Sequence, residues 1–241
     1  MKVKILNFTP NPELTCAAAA RLCYSDASAS EIMEKMSQRQ IERLLDMVIA
    51  SGHHSTLEHA SFTFAIDGIS RACSHQLVRH RIGISFSQQS QRYVSFEKPE
   101  YVIPPKIAAD PELKRQFEEA VQANFTLYKK LQEAGIPSED ARFVLPNATA
   151  TRMVVTVNFR ELLHIAGLRL CYRAQWEIRR LVQLMKSEIM SVSPFLGGKL
   201  VPKCLHLGYC DEFEQCEELK GTIPRKEEVL ADLKERKSEA G

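Results

Sequence analysis

The chain has 241 residues, 44% hydrophobic and 26% charged, and its 32 Lys and Arg against 30 Asp and Glu leave a formal net charge of +2. That is the profile of a globular protein long enough to bury a core without staples, and it excludes a polybasic nucleic-acid coat. No apolar run approaches the ~20 residues of a membrane span, Pro10 and Pro12 interrupt the start before a secretory stretch can develop, and seven cysteines without secretory context point to a reducing, cytoplasmic compartment.

Val3, Ile5 and Phe8 predict a short first strand, ended by the turn Thr9-Pro10-Asn11-Pro12. Residues 12–24, with four consecutive alanines from Ala17, read as helix, and Ser28 with Glu31 has capping-box spacing. Ile41, Leu44, Leu45, Val48 and Ile49 recur at helical spacing, and Gly52 can close that helix. Phe62, Phe64 and Ile66 alternate, which predicts a half-buried strand over 60–66. Ile69, Ala72, Cys73, Gln76 and Leu77 return to a helical period that runs into Arg79-His80-Arg81. Residues 82–96, rich in Ser and Gln, lack that period and read as extended or looped. An amphipathic helix is predicted over 110–134, and a short one over 137–144 that stops before Pro146. Residues 149–157 are β-branched and strand-like. Asn158 and Glu161 read as a helix cap and its N3 partner, for a helix running to about Tyr172; another carries Trp176, Leu181, Leu184 and Met185 to Pro194. No repeat or interdomain linker is evident. One α+β domain over 1–200 is expected, followed by an acidic, Cys-containing helical tail over 201–241.

The near-neutral total hides segregation. Residues 68–96 contain no acid but hold Arg71, Arg79, Arg81 and Arg92, and residues 142–180 hold seven arginines against Glu161 and Glu177; neither stretch has a lysine. The guanidinium fork fits phosphate and carboxylate better than an ammonium does, so two arginine-only regions suggest bidentate anion recognition. Gln76, Arg79, His80 and Arg81, then Ser85, Ser87, Gln88, Gln89, Ser90, Gln91 and Arg92, alternate amides and hydroxyls with guanidiniums. Such a set can donate to phosphate oxygens and read a base edge; a helix C-terminus is the bland alternative for Arg79 and Arg81. Arg160 and His164, at i and i+4, share one helix face, with Arg169 about half a turn away. His53, His54, Glu58 and His59 lie within seven residues, without the His pair and Glu base of a metalloprotease, and no metal is expected there.

These residues carry a resemblance. Arg79-His80-Arg81, then IGISFSQQ, Ser90 and Gln91-Arg92-Tyr93, resembles the signature of the flavin-dependent thymidylate synthases, the thymidylate synthase-complementing family. GHHSTLEHASFTF, ARFVLP and TVNFRELLHIAGLR followed by AQWEIR resemble its other blocks, so the likeness runs from about Gly52 to about Glu188. It implies the family's α+β fold, a small mostly antiparallel sheet packed by helices. It also implies a homotetramer with active sites built from several subunits, bound FAD, and methyl transfer from methylenetetrahydrofolate to dUMP with NADPH as reductant. Carried over by position, Ser55, Arg79, His80, Arg81, Gln88, Asn158, Arg160 and His164 are expected to contact FAD. Gln76, Ser90, Arg92, Arg142 and Arg169 are expected to hold dUMP, with Arg79 and Gln88 touching both. Arg169 is the expected catalytic residue, polarising the uracil and favouring ionisation at its N3, and His53 is expected near the flavin ring and folate.

The chain departs from the family form in three places. One more residue separates Arg81 from Ser90 than is common, which predicts a bulge near Gly83; Gln88 stands where Glu is frequent; and His164 stands where some relatives have Asn. In the tail, Cys204, Cys210 and Cys216 are spaced with five residues between each pair, and His206 lies between the first two. Cys₃His is a zinc donor set, but the short paired spacing of zinc motifs is absent, so ordinary buried thiols are the preferred reading. Two rivals remain: a nucleotide or single-strand binding groove using Phe86, Tyr93 and Phe96 for stacking, and a flavin reductase without methyl transfer.

Overall fold

The computed structural model describes residues 1–94 and 99–239, the last three of them by backbone alone. In chain order the elements are β1 (Lys2–Phe8), α1 (Pro12–Leu22), α2 (Ala29–Lys35), α3 (Gln38–Ala50), a 3₁₀ turn (His54–His59), β2 (Ser61–Ser70), α4 (Arg71–Leu77), β3 (Ile84–Gln88), α5 (Pro105–Ala108), α6 (Pro111–Glu133) and α7 (Ser138–Ala141). A second 3₁₀ turn (Arg142–Val144) leads to β4 (Ala150–Asn158), α8 (Phe159–Arg169), α9 (Trp176–Val192), α10 (Pro194–Lys199), α11 (Lys203–Leu207), a third 3₁₀ turn (Glu217–Leu219) and α12 (Lys226–Glu239). The strands form one antiparallel sheet in the order β1-β2-β4-β3. The α+β class expected from the sequence is the one observed, and no described helix is long and apolar enough to cross a membrane.

Contacts gather into two units. The first comprises residues 1–6 and 63–156. Here alternation builds the sheet: Phe64 and Ile66 of β2 and Met153 and Val155 of β4 are buried, while Val154 and Thr156 are exposed. Thr63 and Thr156 meet through their hydroxyls at 3.0 Å on that more open face. Helix α6 supplies Val121, Phe125 and Tyr128 to the core, and Asp110 caps it by accepting from the Glu112 and Leu113 N–H groups. Each fully buried aromatic or aliphatic side chain of this kind contributes roughly 1.5–3 kcal/mol. One difference from the sequence reading occurs here. Strand β2 continues to Ser70, so Ile69 belongs to the strand, because Ser70 is the N-cap that accepts from the Cys73 N–H and starts α4. Residues 84–88 take the extended alternative of that reading and form β3.

The second unit comprises residues 7–62 and 157 onward. Cys16, Ala17, Ala18 and Ala20 are buried on α1, and their small size lets α2, α3 and the first 3₁₀ turn approach closely. The capping box of Ser28 and Glu31 is present. Phe62 lies between Phe8 (centroids 6.5 Å apart, stacked) and Phe159 (6.4 Å, tilted), and the Phe159 N–H donates to the Ala60 carbonyl at 2.8 Å. Helix α8 ends at Arg169, short of the expected Tyr172. Ser193 both ends α9 and caps α10, and its hydroxyl donates to Glu13 Oε1 at 2.5 Å. Gly197 is required at that corner, since a Cβ there meets Met190 Sδ at 2.7 Å and its Cα at 2.9 Å. Helices α5, α10 and α11, of four to six residues, are too short to leave a period in the sequence.

Candidate functional site

In the first unit, the site residues cluster where α4 hands over to β3. Gln76 is half-buried on α4. The helix stops at Leu77, so Arg79, His80 and Arg81 lie just beyond it; His80 is buried, and Arg79 and Arg81 are exposed and form no ion pair among the described residues. Gly83, at φ +69°, makes the left-handed turn that redirects the chain into β3, a conformation glycine adopts without steric penalty. At the far end of β3, the Gln88 amide donates to Ser74 Oγ at 3.0 Å and to Thr151 Oγ1 at 3.2 Å. Both amide hydrogens are thus used internally, and the carbonyl oxygen is what Gln88 can offer a ligand. Ser90 Oγ accepts from the Arg92 N–H at 3.1 Å, and Arg92 pairs with Glu139 at 2.5 Å while lying 5.2 Å from the Tyr93 ring centroid.

Arg71 is the residue the sequence reading did not single out. It is the first residue of α4, half-buried, and its Nη2 donates to the Gln89 carbonyl at 3.0 Å. Its Nε is buried and meets no acceptor among the described residues. Burial, with the Arg142 guanidinium second, holds Arg71 below the usual arginine range. Arg142 is itself fixed by donation from its Nε to the Glu139 carbonyl at 3.0 Å. Two guanidiniums that repel, one with an orphaned N–H, have the chemistry to hold an anion. The signal in the sequence was the lack of any acid from 68 to 96, but nothing in the spacing separates Arg71 from its neighbours.

In the second unit the donors lie on the first 3₁₀ turn and on α8. Ser55 is exposed on the turn, and His53 is its exposed N-cap residue. Asn158 caps α8 by accepting from the Glu161 N–H at 2.9 Å, which leaves its NH₂ group to offer. Arg160 pairs with Glu58 at 2.5 Å across the turn and the helix, with both side chains near half exposure. His164 is exposed on the same face of α8 as Arg160, and Arg169 is half-buried at the last turn. Within the His/Glu cluster, His54 Nε2 bonds the Ile49 carbonyl at 3.1 Å and Glu58 serves Arg160, so two of its four groups have structural partners.

Glu161 is the N3 partner that the spacing with Asn158 predicts, its N–H donating to the Asn158 side chain. Its side chain is buried, and burial raises the carboxyl to about 6 against the lowering influence of Arg160, which makes it a buried acid on α8. Of the aromatics proposed for base stacking, Phe86 is half-buried on β3 and Tyr93 is exposed; Phe96 lies outside the described residues.

The sequence profile of a family described as "Thymidylate synthase complementing protein" matches residues 4–195. A protein of Geobacter sulfurreducens named flavin-dependent thymidylate synthase is 50% identical over 214 residues, 88% of this chain and 91% of that one. One of the same name from Pyrococcus horikoshii is 45% identical over 222 residues, 89% of this chain and 91% of that one. Among solved structures, the UMP/dUMP methylase PolB of Streptomyces cacaoi, bound with 5-Br dUMP, superposes with a TM-score of 0.71 at 23% identity, covering 82% of this chain and 93% of that one; this likeness is one of fold.

Proposed function

The chain belongs to the thymidylate synthase complementing protein family, and from that premise we propose that it methylates dUMP to dTMP using a bound flavin. The observation that carries the reading beyond family membership is the Arg71–Arg142 pair, two half-buried guanidiniums with no acid partner among the described residues and one buried N–H left over, of the kind a nucleotide phosphate neutralises. Methylenetetrahydrofolate as one-carbon donor and NADPH as reductant complete the reaction.

Uracil C5 is a poor nucleophile, so the site must push electron density into the ring. A cation beside the pyrimidine carbonyl and N3 stabilises the negative charge that develops there, and Arg169 fills that role. Gln76, Ser90, Arg92 and Arg142 orient the nucleotide, with Arg71 added to them. FAD, when bound, supplies the hydride chemistry. The donor set fits it: Arg79 and Arg81 are exposed and without acid partners among the described residues, as a pyrophosphate requires, and Ser55, Asn158, Arg160 and His164 present a hydroxyl, an amide, a guanidinium and an imidazole. His80 and Gln88 complete the FAD contacts, Gln88 through its carbonyl oxygen. The chain's task is to hold two flat rings and a folate in register.

The active sites are shared within a homotetramer. Three exposed apolar side chains support this: Ile82 (78% exposed), Tyr93 (78%) and Phe143 (83%) directly follow Arg81, Arg92 and Arg142 in the chain. An apolar group next to each of three ligand-binding arginines is what a subunit interface built around the ligand would cover.

The test is dTMP formation from dUMP, methylenetetrahydrofolate and NADPH under low oxygen, with and without added FAD. FAD-dependent product is expected. Absence of product with flavin and dUMP binding verified would overturn the reaction, and NADPH oxidation without need of dUMP would make the protein a reductase.

A further inference from the structure

The segment 201–225 raises a question of stability that leads to a site. It contains a five-residue helix, one isolated parallel bridge between Cys210 and Arg225, and a three-residue 3₁₀ turn. Of its residues only Cys210 is buried, at 7% exposure, while Phe213 is 92% exposed. A loop-rich stretch with no apolar core of its own needs a staple, and small folds of this kind use disulfides or a metal.

What the segment wraps is a cleft lined by four cysteines. Cys204 comes from α11, Cys210 from the bridge and Cys216 from the residue before the third 3₁₀ turn; Cys171 comes from the chain just past α8. Cys171 is the fourth thiol, one that spacing alone could not supply. His206, the fourth member in the sequence reading, is not among the lining residues; its Nε2 bonds the Lys199 carbonyl at 2.9 Å. Among the described residues all seven cysteines are free of disulfides. We propose that Cys171, Cys204, Cys210 and Cys216 form a structural Cys₄ zinc site that anchors 201–225 to the end of α8.

Chemistry and local structure agree with this. Four sulfur donors in a tetrahedron are the preferred closed site of zinc. Burial raises the Cys171 thiol, opposed by the Arg173 backbone N–H aimed at its sulfur, with Glu212, Cys216 and Cys210 adding smaller repulsions. Burial likewise raises Cys204, with Cys210, Cys171 and Cys216 as its other neighbours. Zinc binding replaces the thiol protons of its ligands. The balance is Zn²⁺ plus four Cys–SH giving a tetrathiolate of charge −2 and four protons, with no electron transferred. Lys203 and Arg173 line the cleft together with Asp211 and Glu212, and the two cations are held by Asp211 and Glu214 respectively. The four sulfurs do not all lie within 4.8 Å of one another, so zinc binding would have to draw them together. Three of the four cysteines lie beyond the residues that the family profile matches, so the site is not part of the flavin chemistry.

The full chain, purified without chelator, is assayed for metal by mass spectrometry, then stripped, reduced and offered Zn²⁺ or Co²⁺. One zinc per chain is expected, with an intense thiolate-to-metal absorption band for the cobalt form. Cys171→Ser and Cys204→Ser should lose the metal on dialysis, while His206→Ala and Cys23→Ser should keep it. Trypsin should cut the stripped protein within 201–225 faster than the zinc form. No stoichiometric zinc in either the purified or the reconstituted protein would overturn the proposal. So would disulfides among the four cysteines, a brown iron–sulfur chromophore, or zinc retained by Cys171→Ser but lost by His206→Ala.

Discussion

Arg71 and Arg160 both sit at the beginnings of helices, and they are held in opposite ways. Arg160 is exposed and paired with Glu58 at 2.5 Å. Arg71 is half-buried, faces the like charge of Arg142, has no acid partner among the described residues, and keeps one N–H without an acceptor. An exposed ion pair is satisfied by itself and contributes little, ~0–1 kcal/mol. A buried guanidinium without an anion is a cost the fold carries until a ligand removes it. An arginine left without a protein partner is a sharper candidate for a ligand position than one already paired.

Arg169→Ala tests the chemistry that the Arg71–Arg142 pair would serve, and its expected effect is the largest. If Arg169 stabilises charge on the uracil ring, kcat falls by ~10²–10³, the range seen on removing one donor from an oxyanion site, while flavin retention changes little. Equal loss of both would remove its catalytic role. Arg71→Met comes next and separates ligand binding from folding. The KM for dUMP should rise by ~10–100-fold, the worth of one charge-assisted hydrogen bond. The melting temperature should stay level or increase, because a repelling, desolvated charge has gone. A clear loss of stability with unchanged KM would make Arg71 structural and dissolve the comparison. Arg71→Lys should restore little of the binding, since an ammonium lacks the fork.

Much of the fold was legible because its signals are local. Phe62, Phe64 and Ile66 alternate in the sequence and are all buried on β2; Ile41, Leu45 and Val48 keep helical spacing and are all buried on α3; Ser28 and Glu31 form the capping box their spacing predicts. The candidate site was legible as a composition and as a resemblance. Runs without acid or lysine pointed to the arginine-rich stretches and the resemblance to single residues, but which arginine lacks a partner depends on Glu139, Glu58 and Gln89, residues 18 to 102 positions away from those they touch, or close by through the backbone alone. Glu161 shows the limit most directly, since the same residue completes a cap through its backbone and is buried through its side chain. The fourth cysteine is a similar case: Cys171 stands 33 residues before Cys204 in the chain, and only the packing of α11 on α8 brings its region to the tail.

Asn158→Ala sharpens the comparison at the helix that carries Arg160. It removes the acceptor for the Glu161 N–H and should cost about 1 kcal/mol of stability, whatever the ligand state. If Asn158 also holds flavin through its NH₂ group, the loss in the FAD-loaded protein exceeds that in the stripped protein. Asn158→Asp separates the two roles, because Asp keeps the cap and has no amide hydrogens to give: thermal stability should survive and FAD affinity should fall. Identical behaviour of loaded and stripped proteins for both variants would confine Asn158 to capping.

The smallest effect is expected at Glu58→Gln, which leaves Arg160 its shape and removes its charge partner. An exposed pair of this kind contributes ~1 kcal/mol or less, so the melting temperature should barely move. Binding has a different sign. A carboxylate beside Arg160 competes with any anionic or carbonyl acceptor for the same N–H groups, so neutralising it should leave FAD affinity equal or modestly higher, most visibly at low salt where the pair is least screened. Titrating FAD into the stripped variant and the stripped parent at two ionic strengths reads this directly. A marked loss of affinity would mean that the ion pair is what positions the Arg160 guanidinium for the flavin, and Arg160 would then belong with Arg71 among the arginines that bind by being held in place.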